Sequence, residues 1–216
     1  MTIALLLAIN TQTVFWLPLI AFISFSYLFY STYRISCTSN LSNTIIFRSY
    51  PNQITAFRFL LSAITALFVF QLPEYFSFCS FGLAILLDGF DGYLARKYQQ
   101  ESKLGALFDK TVDAYFVLLL SFILVIKFEV PFWFIGIGYL HYGYELLLFG
   151  LGWAALPIPK NPIGKYAAAF LFISLLSPFI LPESIYIPII YLAAIAVSLS
   201  FGLSFFFKFR AALVKV

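Results

Sequence analysis

The chain has 216 residues, 62% of them hydrophobic and only 10% charged, a balance far outside soluble globular usage and spread over too many apolar runs for a single buried core. Composition therefore points to a polytopic membrane protein. The net charge of +4 does not indicate nucleic acid, because the basic residues are interleaved with apolar segments and no aromatic-basic recognition motif accompanies them. Cys37 and Cys79 are a membrane length apart and match neither zinc nor thioredoxin spacing, which predicts free, buried thiols.

Residues 3 to 30 are almost wholly apolar, interrupted at Asn10 to Thr13, and the part from Val14 to Tyr30 is just long enough to span a bilayer. No basic residue precedes Arg34, so a retained helix with its amino end outside is expected rather than a cleaved signal peptide. The next stretch, Ser31 to Asn52, is rich in Ser, Thr and Asn. It leads into Ile46, Tyr50 and Phe57 at roughly helical spacing, with Arg48 and Arg58 among them. This reads as a linker followed by an interfacial helix, or as a stripe packed against the bundle.

Six apolar segments follow, at about 54–72, 75–98, 105–128, 131–153, 164–181 and 186–207, with Pro73, Pro131, Pro162 and Pro182 at or near their ends. The expected fold is an all-α polytopic membrane bundle: a six-helix core over residues 51–207, an extra transmembrane helix and linker over 1–50, and a short basic tail over 208–216. With the amino end outside, seven crossings leave the carboxyl end in the cytoplasm. Arg34, Arg48, Arg58, Arg96, Lys97, Lys103, Lys110, Lys160, Lys165, Lys208, Arg210 and Lys215 then fall on or near the cytoplasmic side, and only Lys127 faces out. Trp16, Trp133 and Trp153 lie near segment ends, as interface anchors do. No inverted repeat of the transporter kind is evident.

The stretch from Leu87 to Tyr115 holds Asp88, Asp91, Asp109 and Asp113 among apolar neighbours, and a carboxylate near hydrocarbon requires a partner or a purpose. On helices, the i, i+3 spacing puts Asp88 and Asp91 on one face, and i, i+4 does the same for Asp109 and Asp113. The short connection Gln99 to Lys103 makes the two helices antiparallel neighbours, so the acidic faces can meet. Four carboxylates that close need divalent cations, and hard oxygen donors suit magnesium, manganese or calcium rather than zinc, which reads most naturally as a two-metal site. Asp113 lies deeper than Asp109 by about one helical turn, on the order of 5–6 Å. Gly92 and Gly105 permit close approach of a ligand or helix, and the planar cation of Arg96 suits phosphate.

These residues carry a resemblance. The pattern D-x-x-D-G-x-x-A-R, eight residues, G-x-x-x-D-x-x-x-D is matched without a gap by Asp88, Asp91, Gly92, Ala95, Arg96, Gly105, Asp109 and Asp113, and it is similar to the signature of the CDP-alcohol phosphotransferases. Pro51, Asn52, Thr55 and Arg58 resemble the P-N-x-x-T-x-x-R start of that family's first core helix, although Asn and Thr also cap helices. The resemblance covers about residues 51 to 207. It implies Asp88, Asp91 and Asp109 as ligands of two divalent cations, with Asp109 shared and Asp113 a ligand or the general base. It also implies a CDP pocket of Asn52, Thr55, Gly92, Ala95, Arg96 and Gly105, and a homodimer. The implied reaction moves a phosphatidyl group from CDP-diacylglycerol to a small alcohol and releases CMP at the cytoplasmic face of the cell (inner) membrane.

For the acceptor, Gly164 and Lys165 in NPIGKYAAAF resemble the G-K-x-K-T helix start of phosphatidylglycerophosphate synthases, with Ala167 and Ala168 standing where that group has Lys and Thr. A helix amino end with a lysine is a seat for phosphate. Lys165 and His141 are therefore the acceptor-binding candidates and glycerol-3-phosphate the expected acceptor, with inositol, inositol phosphate, serine and phosphatidylglycerol as alternatives. His141 and Glu145, at i, i+4, equally read as a mutual hydrogen-bonded pair without a catalytic part. A divalent-cation transporter, the reading from a different class, would distribute acidic residues through the membrane depth; Glu74, Glu129 and Glu183 instead lie at the outer segment ends.

Overall fold

A computed structural model describes residues 50–98, 103–153 and 162–214, with positions 23, 26 and 30 helical in isolation. Six α-helices run through the described residues, and no strand occurs among them: α1 (Tyr50–Phe68), α2 (Glu74–Lys97), α3 (Lys103–Lys127), α4 (Ile135–Gly150), α5 (Pro162–Leu176) and α6 (Glu183–Val214). The expected amino-terminal crossing over 14–30, its linker, Trp16 and Cys37 lie otherwise outside the described residues.

Proline and glycine set several boundaries. Pro73 precedes the first residue of α2 and Pro131 a short 3-10 turn, Phe132–Phe134, that leads into α4; a missing N–H costs nothing where it has no intrahelical partner. Gly152 ends α4 with φ +70°. Its N–H donates to Phe149 O at 3.0 Å and that of Trp153 to Leu148 O at 2.8 Å, the paired bonds of a glycine-terminated helix. A second 3-10 turn, Ser177–Phe179, extends α5. These turns explain why α4 and α5 are shorter than the apolar segments that predicted them.

α1 packs on α2, α3 on α4 and α5 on α6, while α3 also touches α1 and α5. That central place makes α3 the most enclosed helix: Leu118, Leu119, Leu120, Ile123 and Leu124 are fully buried. A helix apolar all round belongs in the middle of a bundle.

The exterior is built the other way. α1 turns Asn52, Thr55, Arg58, Ser62 and Thr65 inward, each 5% exposed or less, and turns Phe57, Leu60, Ile64 and Phe68 outward at 48–56%. A helix with its polar stripe inside and its aromatic and aliphatic stripe outside suits a hydrocarbon solvent and not water. Leu83, Leu86, Ile173, Leu192, Ile195 and Leu199 continue the apolar exterior on α2, α5 and α6. Cys79 is free and faces outward on α2, which corrects the expectation of a buried thiol: an apolar exterior accepts it as readily as a core does. Glu74–Lys97 and Glu183–Leu213 are long and apolar enough to cross a membrane. The protein is an integral membrane protein.

Candidate active site

Asp88 stands in the fourth turn of α2 and Asp109 and Asp113 in the first three turns of α3. The antiparallel pair brings them to the same end of the bundle, with one oxygen of each carboxylate within 4.8 Å of the others. The side chain of Asp91, one turn beyond Asp88, lies outside the described positions.

Arg58, on the inward face of α1, occupies the middle of the cluster. Its Nη1 lies 2.7 Å from Asp88 Oδ1 and 3.0 Å from Asp109 Oδ1, and its Nη2 lies 2.8 Å from Asp113 Oδ1. Its Nε donates to Ala84 O at 3.0 Å, which fixes the plane of the guanidinium. A planar, permanently charged fork is the side chain able to meet three carboxylates at once. Sequence reasoning placed Arg58 at the end of a motif, in an interfacial stripe and among the cytoplasmic basic residues, and gave it no place in the site. The signal available was the i, i+3/i+4 polar stripe of α1, since a buried arginine in an apolar helix must face carboxylates.

The donor set fits hard divalent cations. Three carboxylates against one guanidinium leave a formal excess of two negative charges, the donors are all oxygen, and their spread is close to what one or two cations with oxygen ligands span. Around the acidic cluster, Thr55 donates to Pro51 O at 3.2 Å and Asn52 is buried in the first turn of α1, inside the helix rather than capping it. Arg96 is exposed, and its Nη1 folds to 3.7 Å from where a side chain on Gly92 would begin; Ala95 and Gly105 are half-buried.

Beside Asp113 a cavity of about 170 Å³ opens between α3, α4, α5 and α6, lined among others by Lys110, Asp113, His141 and Gly164. Ala167 and Ala168 line it too, so the two positions at which the α5 start departs from the synthase pattern face this space. Lys165 is exposed and does not line the cavity. Glu145 does not pair with His141: it accepts from Lys110 across the α3–α4 contact. The His141 ring instead rests against Tyr142 and Phe201.

The match of residues 48–204 to the CDP-alcohol phosphatidyltransferase model takes in more than half of the chain and every residue of this cluster. The chain belongs to that family. Among similar proteins, a CDP-diacylglycerol–glycerol-3-phosphate 3-phosphatidyltransferase of Cereibacter sphaeroides is 42% identical over 69 residues, 30% of this chain and 31% of the relative. One of the same description from Wigglesworthia glossinidia brevipalpis is 36% identical over 87 residues, 38% of this chain and 47% of the relative. A bifunctional IPC transferase and DIPP synthase of Thermococcus kodakarensis is 35% identical over 106 residues, 47% of this chain and 23% of the relative. This family member thus spans less than half the length of each of these relatives.

Proposed function

We propose that the protein transfers a phosphatidyl group from CDP-diacylglycerol to glycerol-3-phosphate, forming phosphatidylglycerophosphate and CMP. The observation that carries this reading is the meeting of Asp88, Asp109 and Asp113 around Arg58, beside a cavity that Asp113 shares with Lys110 and His141. A six-helix core over 51–207 does the chemistry, with an extra crossing before it, as a homodimer in the inner membrane. The acidic end lies at the cytoplasmic face, the amino end outside and the carboxyl end inside.

Asp88, Asp91 and Asp109, with Asp113 alongside, would hold two divalent cations, magnesium or manganese, which when bound would neutralise charge on the diphosphate and the leaving CMP. Asn52, Thr55, Gly92, Ala95, Arg96 and Gly105 bind the CDP moiety, the small residues admitting the flat ring and Arg96 reaching phosphate. Asp113 accepts the proton of the acceptor hydroxyl as its oxygen bonds to the phosphatidyl phosphorus and the bond from that phosphorus to CMP breaks. Arg58 orients Asp109 and Asp113. Lys165 and His141 receive the acceptor's phosphate.

The test is purified full-length protein with CDP-diacylglycerol and a panel of glycerol-3-phosphate, inositol, inositol phosphate, serine and phosphatidylglycerol. CMP release should require glycerol-3-phosphate, cease in excess chelator and return with magnesium or manganese. Undiminished release in chelator would end the account of the cations; turnover with inositol or serine alone would end the choice of acceptor.

A further inference from the structure

A groove of about 410 Å³ runs along the outside of the bundle between α4 and α6, lined by Gly143, Tyr144 and Leu147 on one side and Ser198, Phe201 and Gly202 on the other. It exists because α4 packs chiefly on α3 and α6 chiefly on α5, and because small residues stand on both walls. Nothing lies within 4 Å of where a side chain on Gly143, Gly150 or Gly202 would begin. Exposed glycines inside a helix are destabilising relative to alanine. Lipid chains conform to any surface and need no glycine, whereas another helix needs small residues in order to come close. The hydroxyl of Tyr144, on the groove wall, is enclosed and has no hydrogen-bond partner among the described residues, which is costly unless the occupant supplies one.

We propose that this groove seats the chain's own amino-terminal apolar segment, residues 14–30, with Phe22 against Gly143 and Phe29 against Gly150. Phe22 and Phe29 are seven residues apart, as Gly143 and Gly150 are, so on parallel helices a large residue meets a small one twice in register. The direction agrees: α1 starts at the acidic end of the bundle, so a crossing that leads into it runs toward that end, as α4 and α6 do. Ser26 shares the face of Phe22 and Phe29, at i+4 from one and i−3 from the other, and offers Tyr144 an acceptor. Ile23 and Tyr30, each one position past a phenylalanine and so turned about 100° away, are helical and 58% exposed, while Ser26 is less exposed; the Ser26 side is the one turned to the bundle. The 19 residues between Tyr30 and α1 can extend to about 60 Å, more than the width of six packed helices each about 10 Å across. Tethering gives the segment an effective concentration in the millimolar range, which favours it over a second copy of the chain. Phe201 lines both the groove and the cavity beside Asp113, so the seated segment braces the cavity wall from outside.

The experiment uses the full chain in detergent micelles, with its two cysteines, Cys37 and Cys79, replaced by serine. Cysteine pairs F22C/G143C and S24C/G143C are oxidised under mild conditions, denatured, and treated with a maleimide–polyethylene glycol that slows any chain retaining a thiol. F22C/G143C should run as a monomer that takes up no reagent, since a disulfide joins Cβ atoms only about 3.5–4.5 Å apart. S24C/G143C, with Ser24 turned about 200° from Phe22, should keep both thiols. Thermal midpoints of chains without added cysteines are the second readout. G143L should lower the midpoint by several degrees, and F22A/G143L should recover at least half of that loss, because removing the ring makes room for the leucine. A disulfide formed in F22C/G143C only between copies would give the groove to a second chain and overturn the proposal. Protection of both pairs alike, or of neither, would also overturn it. So would a G143L midpoint at or above that of wild type, the outcome for a groove filled by lipid.

Discussion

Replacing Arg58 with Gln tests whether the acidic cluster is held together by charge. The substitution removes a guanidinium that is 4% exposed and meets three carboxylates at 2.7, 3.0 and 2.8 Å, as well as the bond from its Nε to Ala84 O. Stripping the cation from a buried pair costs about 3–5 kcal/mol. The aspartates here retain 30–38% of their exposure, so solvent screens part of that, and about 2–4 kcal/mol is the expected loss. For a chain of this size that corresponds to a fall in thermal midpoint on the order of 5–10 °C. In the proposed mechanism divalent cations answer the same carboxylates, so the loss should be largest in chelator and shrink as magnesium is added; binding at a hundredfold over Kd contributes about 2.7 kcal/mol. R58K should fall between, since an ammonium carries the charge without the planar fork. The assay is thermal unfolding in detergent, with and without magnesium. Equal midpoints for wild type and R58Q in chelator, or equal stabilisation of both by magnesium, would refute the reasoning.

Asp88→Asn should weaken donor binding and turnover together if, as proposed, it removes a ligand of the diphosphate's cations, whereas Asp113→Asn should keep appreciable donor binding and lose most turnover; donor KM and kcat measured on both variants separate the roles, and equal loss of both in Asp113→Asn would make it another ligand. Gly138→Ala should lower the thermal midpoint by several degrees, on the order of 1–3 kcal/mol, because the new methyl meets Leu118 Cα and Cδ1 at 2.9 Å and Ser121 Oγ at 3.1 Å. Gly136→Ala, with nothing within 4 Å, should be neutral or slightly stabilising through helix propensity, and similar midpoints for the two would show that α3 and α4 are not in close contact there.

Much of the helix order was legible because several apolar runs are bounded by proline or glycine, and those residues act on the backbone whatever surrounds them. Helix ends were less so. α6 runs on to Val214 rather than 207, because Lys208 and Arg210 continue a helix well even though they end an apolar run. The meeting of Asp88, Asp109 and Asp113 followed from spacing along two helices joined by a short loop, a local argument that needs no knowledge of the rest of the fold. Arg58 and Lys110 were not legible in the same way. Spacing within one helix says which residues share a face, but not which neighbour that face meets, and both side chains take their meaning from a partner helix: Arg58 from α2 and α3, Lys110 from Glu145 on α4. Cys79 shows the converse error, in which a residue type usually buried in water-soluble proteins lies on an exterior that is itself apolar.

The chemistry and the core share one helix, and this constrains how the site can vary. Asp109, Lys110 and Asp113 occupy the first turns of α3, and the fully buried Leu118, Leu119, Leu120, Ile123 and Leu124 occupy its middle. Because those residues are enclosed, α3 can neither rotate nor slide without leaving voids, and interiors at native packing density resist such shifts. A rotation of one residue, about 100°, would carry both aspartates away from Arg58 and turn Lys110 away from the cavity and Glu145. The leucines of α3 thus fix the register in which its charges meet α1 and α4, and a cavity-forming change such as Leu119→Ala, though distant from the carboxylates, acts on the site through that register as well as on stability.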